Sequence, residues 1–246
     1  MTSTDNRSYY DEFAAGYDDG RDVGYHKLID DQAAELVRRV GEGKRVLEVG
    51  CGTGLVLGRI AEFASAAKGI DIAPGTLTPA KDRNLDVQEA DCTDLPFEDA
   101  SFDVACSFKV LAHVPNFDAA VAEMVRVVRP GGHLVIDIYN RASIRYLIKR
   151  LFGPRKTSAT FDEGAIETRF WNLAEALAHV PERTQLVDVA GIRVMTPHPA
   201  VNRLPLVGAM SRALEWKLMD GPLARLGGFM VLTLERTAGS VGAPSW

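Results

Sequence analysis

The chain has 246 residues, 46% of them apolar and 25% charged, with a net charge of −5. That balance is ordinary for a soluble globular protein and suits one α/β domain with a decoration. No uncharged apolar run is long enough to cross a bilayer, and the first residues lack the apolar core of a signal peptide. Three cysteines, at 51, 92 and 106, have neither zinc spacing nor the even count of a disulfide framework, so a reducing cytoplasm is expected. The charge is uneven: residues 1–138 carry 14 Lys and Arg against 24 Asp and Glu, and residues 139–246 carry 14 against 9. The basic half is either where an anionic acceptor is met or simply a differently charged solvated surface.

In chain order, Tyr10, Phe13, Ala14 and Tyr17 recur at helical spacing, and Asp18-Asp19-Gly20 ends that element. Residues 26–40 read as an amphipathic helix with Leu28, Ile29, Ala33, Leu36, Val37 and Val40 on one side. Residues 45–54, Arg-Val-Leu-Glu-Val-Gly-Cys-Gly-Thr-Gly, begin as a short strand buried on both faces and pass into glycines at 50, 52 and 54. A helix over about 54–64 follows. Strand, glycine turn and helix start make the first half of a Rossmann-like unit, where main-chain amides meet a ligand. The dinucleotide fingerprint does not fit, because Leu55 stands where its third glycine belongs. No Gly-Lys-Ser/Thr phosphate loop is present either. Glu48 places a carboxylate at the carboxyl end of the strand, a costly burial unless a cationic ligand or a hydrogen-bonded loop pairs with it.

Residues 68–72 read as strand 2. Asp71, about 20 residues after the glycine loop, stands where nucleotide-binding Rossmann units hold ribose hydroxyls, and a carboxylate can accept from both. Strand 3 spans 85–91 and strand 4 spans 102–108. The strand-4 exit, Phe108-Lys109-Val110-Leu111-Ala112-His113, lies at the ligand-binding end of such a sheet. His113 is a candidate general base, since imidazole titrates near neutrality, or a structural histidine. Lys109 either holds an acidic acceptor or is solvated. A helix over 117–128, a turn at 129–132 and strand 5 over 133–138 follow.

Residues 141–156 carry six basic side chains and no acidic one, interleaved with Ile144, Leu147, Ile148, Leu151 and Phe152. Arg141, Arg145 and Lys149 share one helix face. The segment reads as an anion-binding or membrane-surface element, or as a solvated helix packing its apolar stripe. Beyond it, residues 171–180 read as a helix, 185–195 as strand 6, Leu206, Met210, Leu214 and Leu218 as a helical stripe, and 228–234 as strand 7.

Glu-Val-Gly-Cys-Gly-Thr-Gly at 48–54 closely resembles motif I of class I S-adenosylmethionine (SAM)-dependent methyltransferases. Asp91-Cys92-Thr-Asp-Leu-Pro-Phe, Phe102-Asp-Val and Arg129-Pro-Gly-Gly are also similar to that family, as is the opening Tyr-Asp-x-x-Ala-x-x-Tyr-Asp segment. The resemblance covers about residues 9–138 and, by topology, the final strands. It implies an α/β fold: a Rossmann-like, seven-stranded, mostly parallel sheet with helices on both faces and its last strand antiparallel. A small cap would be inserted after strand 5 and between strands 6 and 7, over the acceptor pocket. The division expected is one domain: lid helices at 1–42, the SAM-binding core at 43–138, cap and strand 6 at 139–226, the last strand at 227–237 and a flexible tail at 238–246.

The same resemblance implies SAM as cofactor. Glu48, Gly50, Cys51, Gly52 and Gly54 would surround its methionine part and Asp71 its ribose. Ile72, Asp91 and Cys92 would lie against adenine, with Phe108 near the methyl. Tyr9, Tyr10, Tyr17 and Tyr25 are lid candidates. Tyr9, Tyr10, Lys109, His113 and Arg145 are the candidate acceptor contacts. Some quinone-pathway relatives place Glu-His at 112–113 and use the Glu for a metal; here Ala112 stands there, so no metal is expected.

The expected partner is a small-molecule acceptor, with peripheral membrane contact through 141–156 and no nucleic acid. Strand 4 exits as Ser-Phe-Lys-Val, not as the Asn/Asp-Pro-Pro-Tyr of amino-group nucleic-acid methylation. Nucleic-acid methylation, a SAM-binding protein without catalysis and an NAD-dependent oxidoreductase are the rival readings.

Overall fold

The computed structural model describes residues 17–18, 20–21, 23–152, 168–196 and 205–238. Helix α1 (Gly24–Gly41) precedes β1 (Arg45–Val49), α2 (Leu55–Ala61), β2 (Ala66–Asp71), α3 (Pro74–Asp82), β3 (Asp86–Glu89) and β4 (Phe102–Ser107). A 3-10 turn (Leu111–His113), α4 (Phe117–Val127), β5 (Val128–Asn140) and α5 (Ile144–Phe152) follow. The chain closes with β6 (Phe170–Trp171), α6 (Leu173–Ala178), β7 (Thr184–Ile192), α7 (Pro205–Leu218), a 3-10 turn (Pro222–Leu226) and β8 (Phe229–Arg236).

The strands pair in the order β3-β2-β1-β4-β5-β8-β7, which makes the expected seven. Strands β1 to β5 are parallel, and β8 runs antiparallel to both β5 and β7. Side chains alternate across the sheet, so each strand feeds two cores. Leu47, Ala105, Leu134, Ile136 and Leu232 pack under Phe117, Val121 and Met124 of α4. Val46, Val104, Cys106, Val135 and Val231 pack under α1 and α2. Burial on both faces explains why β1 and β4 read as continuous apolar runs.

Three differences from the sequence reading have local causes. The Arg-Pro-Gly-Gly turn is a bulge inside β5: Phe102 pairs with Val128 and Val104 with His133, and residues 129–132 loop out between. An eighth strand, β6, pairs with Tyr139 and Asn140 where the chain was read as the start of a helix. Asn172 then caps α6 in a reciprocal capping box with Glu175, which delays the helix by two residues. Trp171 is left free to pack edge-on against Phe117 at 4.6 Å and to stack on His179 at 4.9 Å.

In the cap half, α7 is held by one buried carboxylate. Glu215 accepts from the main-chain N–H of Val194 (2.7 Å), Met195 (3.0 Å) and Thr196 (2.6 Å) and from the Thr196 hydroxyl (2.6 Å). The Gln32 amide of α1 donates to the Glu215 main-chain oxygen at 3.2 Å. Cap, N-terminal helix and sheet end are thereby joined.

Candidate active site

The carboxyl ends of β1, β2 and β4 open onto a cavity of about 360 Å³. Strand β1 gives way to Gly50, whose φ of 78° is left-handed and whose absent Cβ leaves the space that Val110 fills. Gly52 faces open space and donates its N–H to Asp71 Oδ2 at 2.8 Å, while Ala73 N–H reaches Oδ1 at 2.9 Å. Asp71 therefore ties the glycine loop to β2 from the cavity wall. Burial raises its carboxyl above the ordinary range, against the Ala73 and Gly52 amides. Glu48 is 3% exposed, and its Oε2 has no hydrogen-bond partner among the described residues. Burial pushes its carboxyl well up, with Lys109 opposing.

On the β3 side, Ile72, Asp91 and Cys92 line the same cavity. Asp91 Oδ1 accepts from the Thr93 N–H (2.8 Å) and hydroxyl (2.7 Å), which fixes that loop. Burial, reinforced by Asp91, pushes the Cys92 thiol up to about 12, so it stays protonated and is no nucleophile at neutral pH. Cys51 is likewise raised by burial, and its sulfur packs against Gly69.

The N-terminal segment reaches over the glycine loop. Tyr17 lines the cavity with the Arg21 guanidinium 3.7 Å from its ring centre. Asp18 accepts from the Thr53 hydroxyl (2.6 Å) and from Arg83 (2.7 Å), and Arg83 also donates to the Thr53 main-chain oxygen (2.8 Å). Thus Asp18, Thr53 and Arg83 lock three separate segments around the loop.

The exit of β4 forms the opposite wall. Phe108, Lys109 and His113 all line the cavity. Lys109 sits at φ 63°, its N–H donating to Asp137 Oδ1 at 2.8 Å and its Nζ to Asp30 Oδ1 at 2.8 Å. Burial works against its charge, but Asp30 beside it holds the ammonium above the ordinary range. Burial raises the Asp137 carboxyl to about 7. His113, on the 3-10 turn, has Nε2 3.4 Å from the Tyr139 hydroxyl, with the rings edge to face.

Most of the residues expected at the site do converge: Tyr17, Glu48, Gly50, Cys51, Gly52, Asp71, Ile72, Asp91, Cys92, Phe108, Lys109 and His113 share the cavity. Gly54 does not line it. Gly54 caps α2 at φ 83°, and a Cβ there would come within 2.5 Å of Leu85, so its smallness serves helix packing. Arg145 lies outside the cavity lining too, over the rings of Tyr139 (5.8 Å) and Phe229 (5.9 Å). Tyr25 is buried under Arg193, away from the lining, at 5.1 Å. Tyr9, Tyr10 and residues 153–167 lie outside the described residues. None of the described residues beyond Asn116 lines the cavity, so the cap does not reach it within them. Sequence reasoning missed Asp30, Thr53 and Val110. Asp30 had a signal: it falls with Ala33, Ala34 and Val37 on the buried side of α1.

The chemistry of this wall fits a cationic nucleoside. Two buried carboxylate oxygens without donors among the described residues, Asp30 Oδ2 and Glu48 Oε2, line the cavity wall, amide-held Asp71 stands at the end of β2, and the cavity is large enough for a ligand of that class. Among the described residues no group of three His, Cys, Asp or Glu converges as a metal site.

Residues 47–136 match the methyltransferase domain family, which supports reading this core as a class I SAM-dependent methyltransferase domain. Over 105 residues it is 34% identical to the sterol 4-C-methyltransferase of Caenorhabditis elegans, covering 39% of this chain and 31% of that one. Over 134 residues it is 34% identical to the demethylmenaquinone methyltransferase of Tropheryma whipplei, covering 49% and 56%. The chain thus spans about a third to about a half of these relatives' lengths. A SAM-dependent methyltransferase structure from Thermotoga maritima superposes with a TM-score of 0.70 at 17% identity, covering 94% of this chain and 99% of that one, which extends the shared fold to nearly the whole chain.

Proposed function

We propose that this protein transfers a methyl group from SAM to an oxygen, nitrogen or carbon of a small-molecule acceptor in the cytoplasm. One observation carries the reading: Glu48 and Gly52 at the end of β1, Asp71 at the end of β2 and Asp91 just after β3 face one cavity whose far wall holds His113. SAM, when bound, supplies a methyl on a sulfonium already activated for displacement. The protein's part is then alignment and exclusion of water. Asp71 offers an acceptor to a ribose hydroxyl while its two amide bonds hold it still. His113, oriented by the Tyr139 hydroxyl, takes the proton of an acceptor that must lose one.

An apolar or lipid-like acceptor is the class we favour. The described part of α7 exposes Leu206 (81%) and Met210 (73%), and α5 exposes Ile144 and Leu147 beside Arg150. Such faces suit peripheral contact with a lipid surface. The sterol and demethylmenaquinone enzymes among the relatives are named for acceptors of this kind. No helix of the described residues is long and apolar enough to cross a membrane.

Incubation with methyl-labelled SAM and a panel of quinols, sterols, phenols and amines tests the reading. Label transfer to an apolar hydroxyl or carbon acceptor is expected. Label bound but transferred to no acceptor would favour a SAM-binding protein without catalysis. With a hydroxyl acceptor, His113→Ala is expected to lower kcat by at least about a hundredfold and leave SAM affinity unchanged, with the neutral limb of the pH profile abolished. Unaltered turnover at neutral pH would leave His113 a structural role.

A further inference from the structure

Helix α1 brings an unusual carboxylate to the cavity. Asp30 is 1% exposed, lines the cavity, and uses only Oδ1, which accepts from Lys109 Nζ at 2.8 Å; Oδ2 has no partner among the described residues. Glu48 Oε2 is in the same condition in the same cavity. Asp30 lies close enough to raise the cost of ionising Glu48, and Lys109 is the cation that opposes it. Lys109 has a second anchor: its main-chain N–H is held by Asp137, so the ammonium is presented from a fixed, left-handed backbone position. An ammonium has three N–H donors, and Asp30 takes one. The wall therefore presents two carboxylate oxygens short of a donor beside a cation with donors to spare. A buried polar group left without a partner is costly, so a ligand that brings the complementary pair gains correspondingly.

Resting on the proposed SAM site, we infer that Asp30 and Lys109 form a binding subsite for a zwitterionic α-amino acid head group. Asp30 and Glu48 take its ammonium, and Lys109 takes its carboxylate. This assigns Asp30 of α1, outside the glycine-loop motif, to cofactor recognition. It also moves Lys109 from the acceptor to the cofactor. A nucleoside lacking the amino acid head would leave the subsite unused. The consequence is selection between SAM and truncated adenosine thioethers by charge pairing at a point remote from adenine.

Calorimetric titration of the full chain with SAM and with 5′-methylthioadenosine, which lacks the head group, separates the alternatives. Asp30→Asn keeps an oxygen for Lys109 but turns the second acceptor into a donor. It is expected to weaken SAM about tenfold or more and leave 5′-methylthioadenosine within twofold of wild type. Lys109→Met is expected to weaken SAM similarly but to leave decarboxylated SAM unaffected. Retained binding of 5′-methylthioadenosine also reports that each variant is folded. Equal loss of both ligands in Asp30→Asn would make the pair a structural strut and overturn the inference, as would unchanged SAM affinity. Failure of the wild-type chain to bind SAM is a separate result, which would remove the proposed site and this subsite together.

Discussion

The two ends of the sheet bury carboxylates for opposite purposes. Near the cavity, Glu48 and Asp30 are almost fully buried, each with one carboxylate oxygen lacking a donor among the described residues, and Lys109 is the cation beside them, its N–H held by the buried Asp137. In the cap half, Glu215 is equally buried but takes four hydrogen bonds from residues 194–196. One cluster carries unsatisfied polarity that a ligand can complete. The other is self-sufficient and acts as a rivet. Satisfied buried polar groups fix structure, whereas unsatisfied ones mark places where the fold awaits something else.

Removing the rivet is the most damaging way to test this contrast. Glu215→Ala strands three main-chain N–H groups and is expected to cost about 3–5 kcal/mol of stability. Denaturant unfolding measures it. SAM affinity at a temperature where the variant remains folded should be unchanged, because Glu215 does not line the cavity.

Gly50→Ala tests the other region. The new Cβ meets Val110 at a left-handed backbone position, so the loop must shift. Cofactor affinity is expected to fall about a hundredfold, with a stability loss of about 1–2 kcal/mol, smaller than that of Glu215→Ala.

A pH dependence probes the cavity side in a second way. The Asp137 carboxyl is raised by burial from 3.8 to about 7. Below about pH 4 it is protonated in folded and unfolded chains alike, and its burial carries no ionic penalty. Between about pH 4 and pH 7 the unfolded chain releases the proton while the folded one keeps it, so stability falls with rising pH and levels off above. Asp137→Asn keeps an oxygen for the Lys109 N–H and removes this slope. Thermal unfolding should find the variant close to wild type at pH 4 and more stable than it at pH 8.

How far the sequence could be read follows the same division. Backbone requirements leave residue-type signatures: Gly50 and Gly52, and Asp71 in register at the end of β2, all found their places. Glycine identity could not separate Gly50, which clears the loop, from Gly54, which makes room for Leu85, since both need the same left-handed φ. Pairings across long separations left no such mark. Nothing in the sequence couples Asp30 to Lys109, Asp18 to Thr53 and Arg83, or Glu215 to residues 194–196, so the ion pair of Lys109 with Asp30 was not legible and α7 read only as an apolar stripe. The two-residue β6 was illegible because Phe170 and Trp171 become a strand only through their pairing with Tyr139 and Asn140.

Calorimetric titration of the 246-residue chain with SAM, and separately with NAD, tests the central claim most directly. The account predicts one saturable SAM site and no heat of binding with NAD. A chain that ignores SAM, or that saturates with NAD instead, would contradict it.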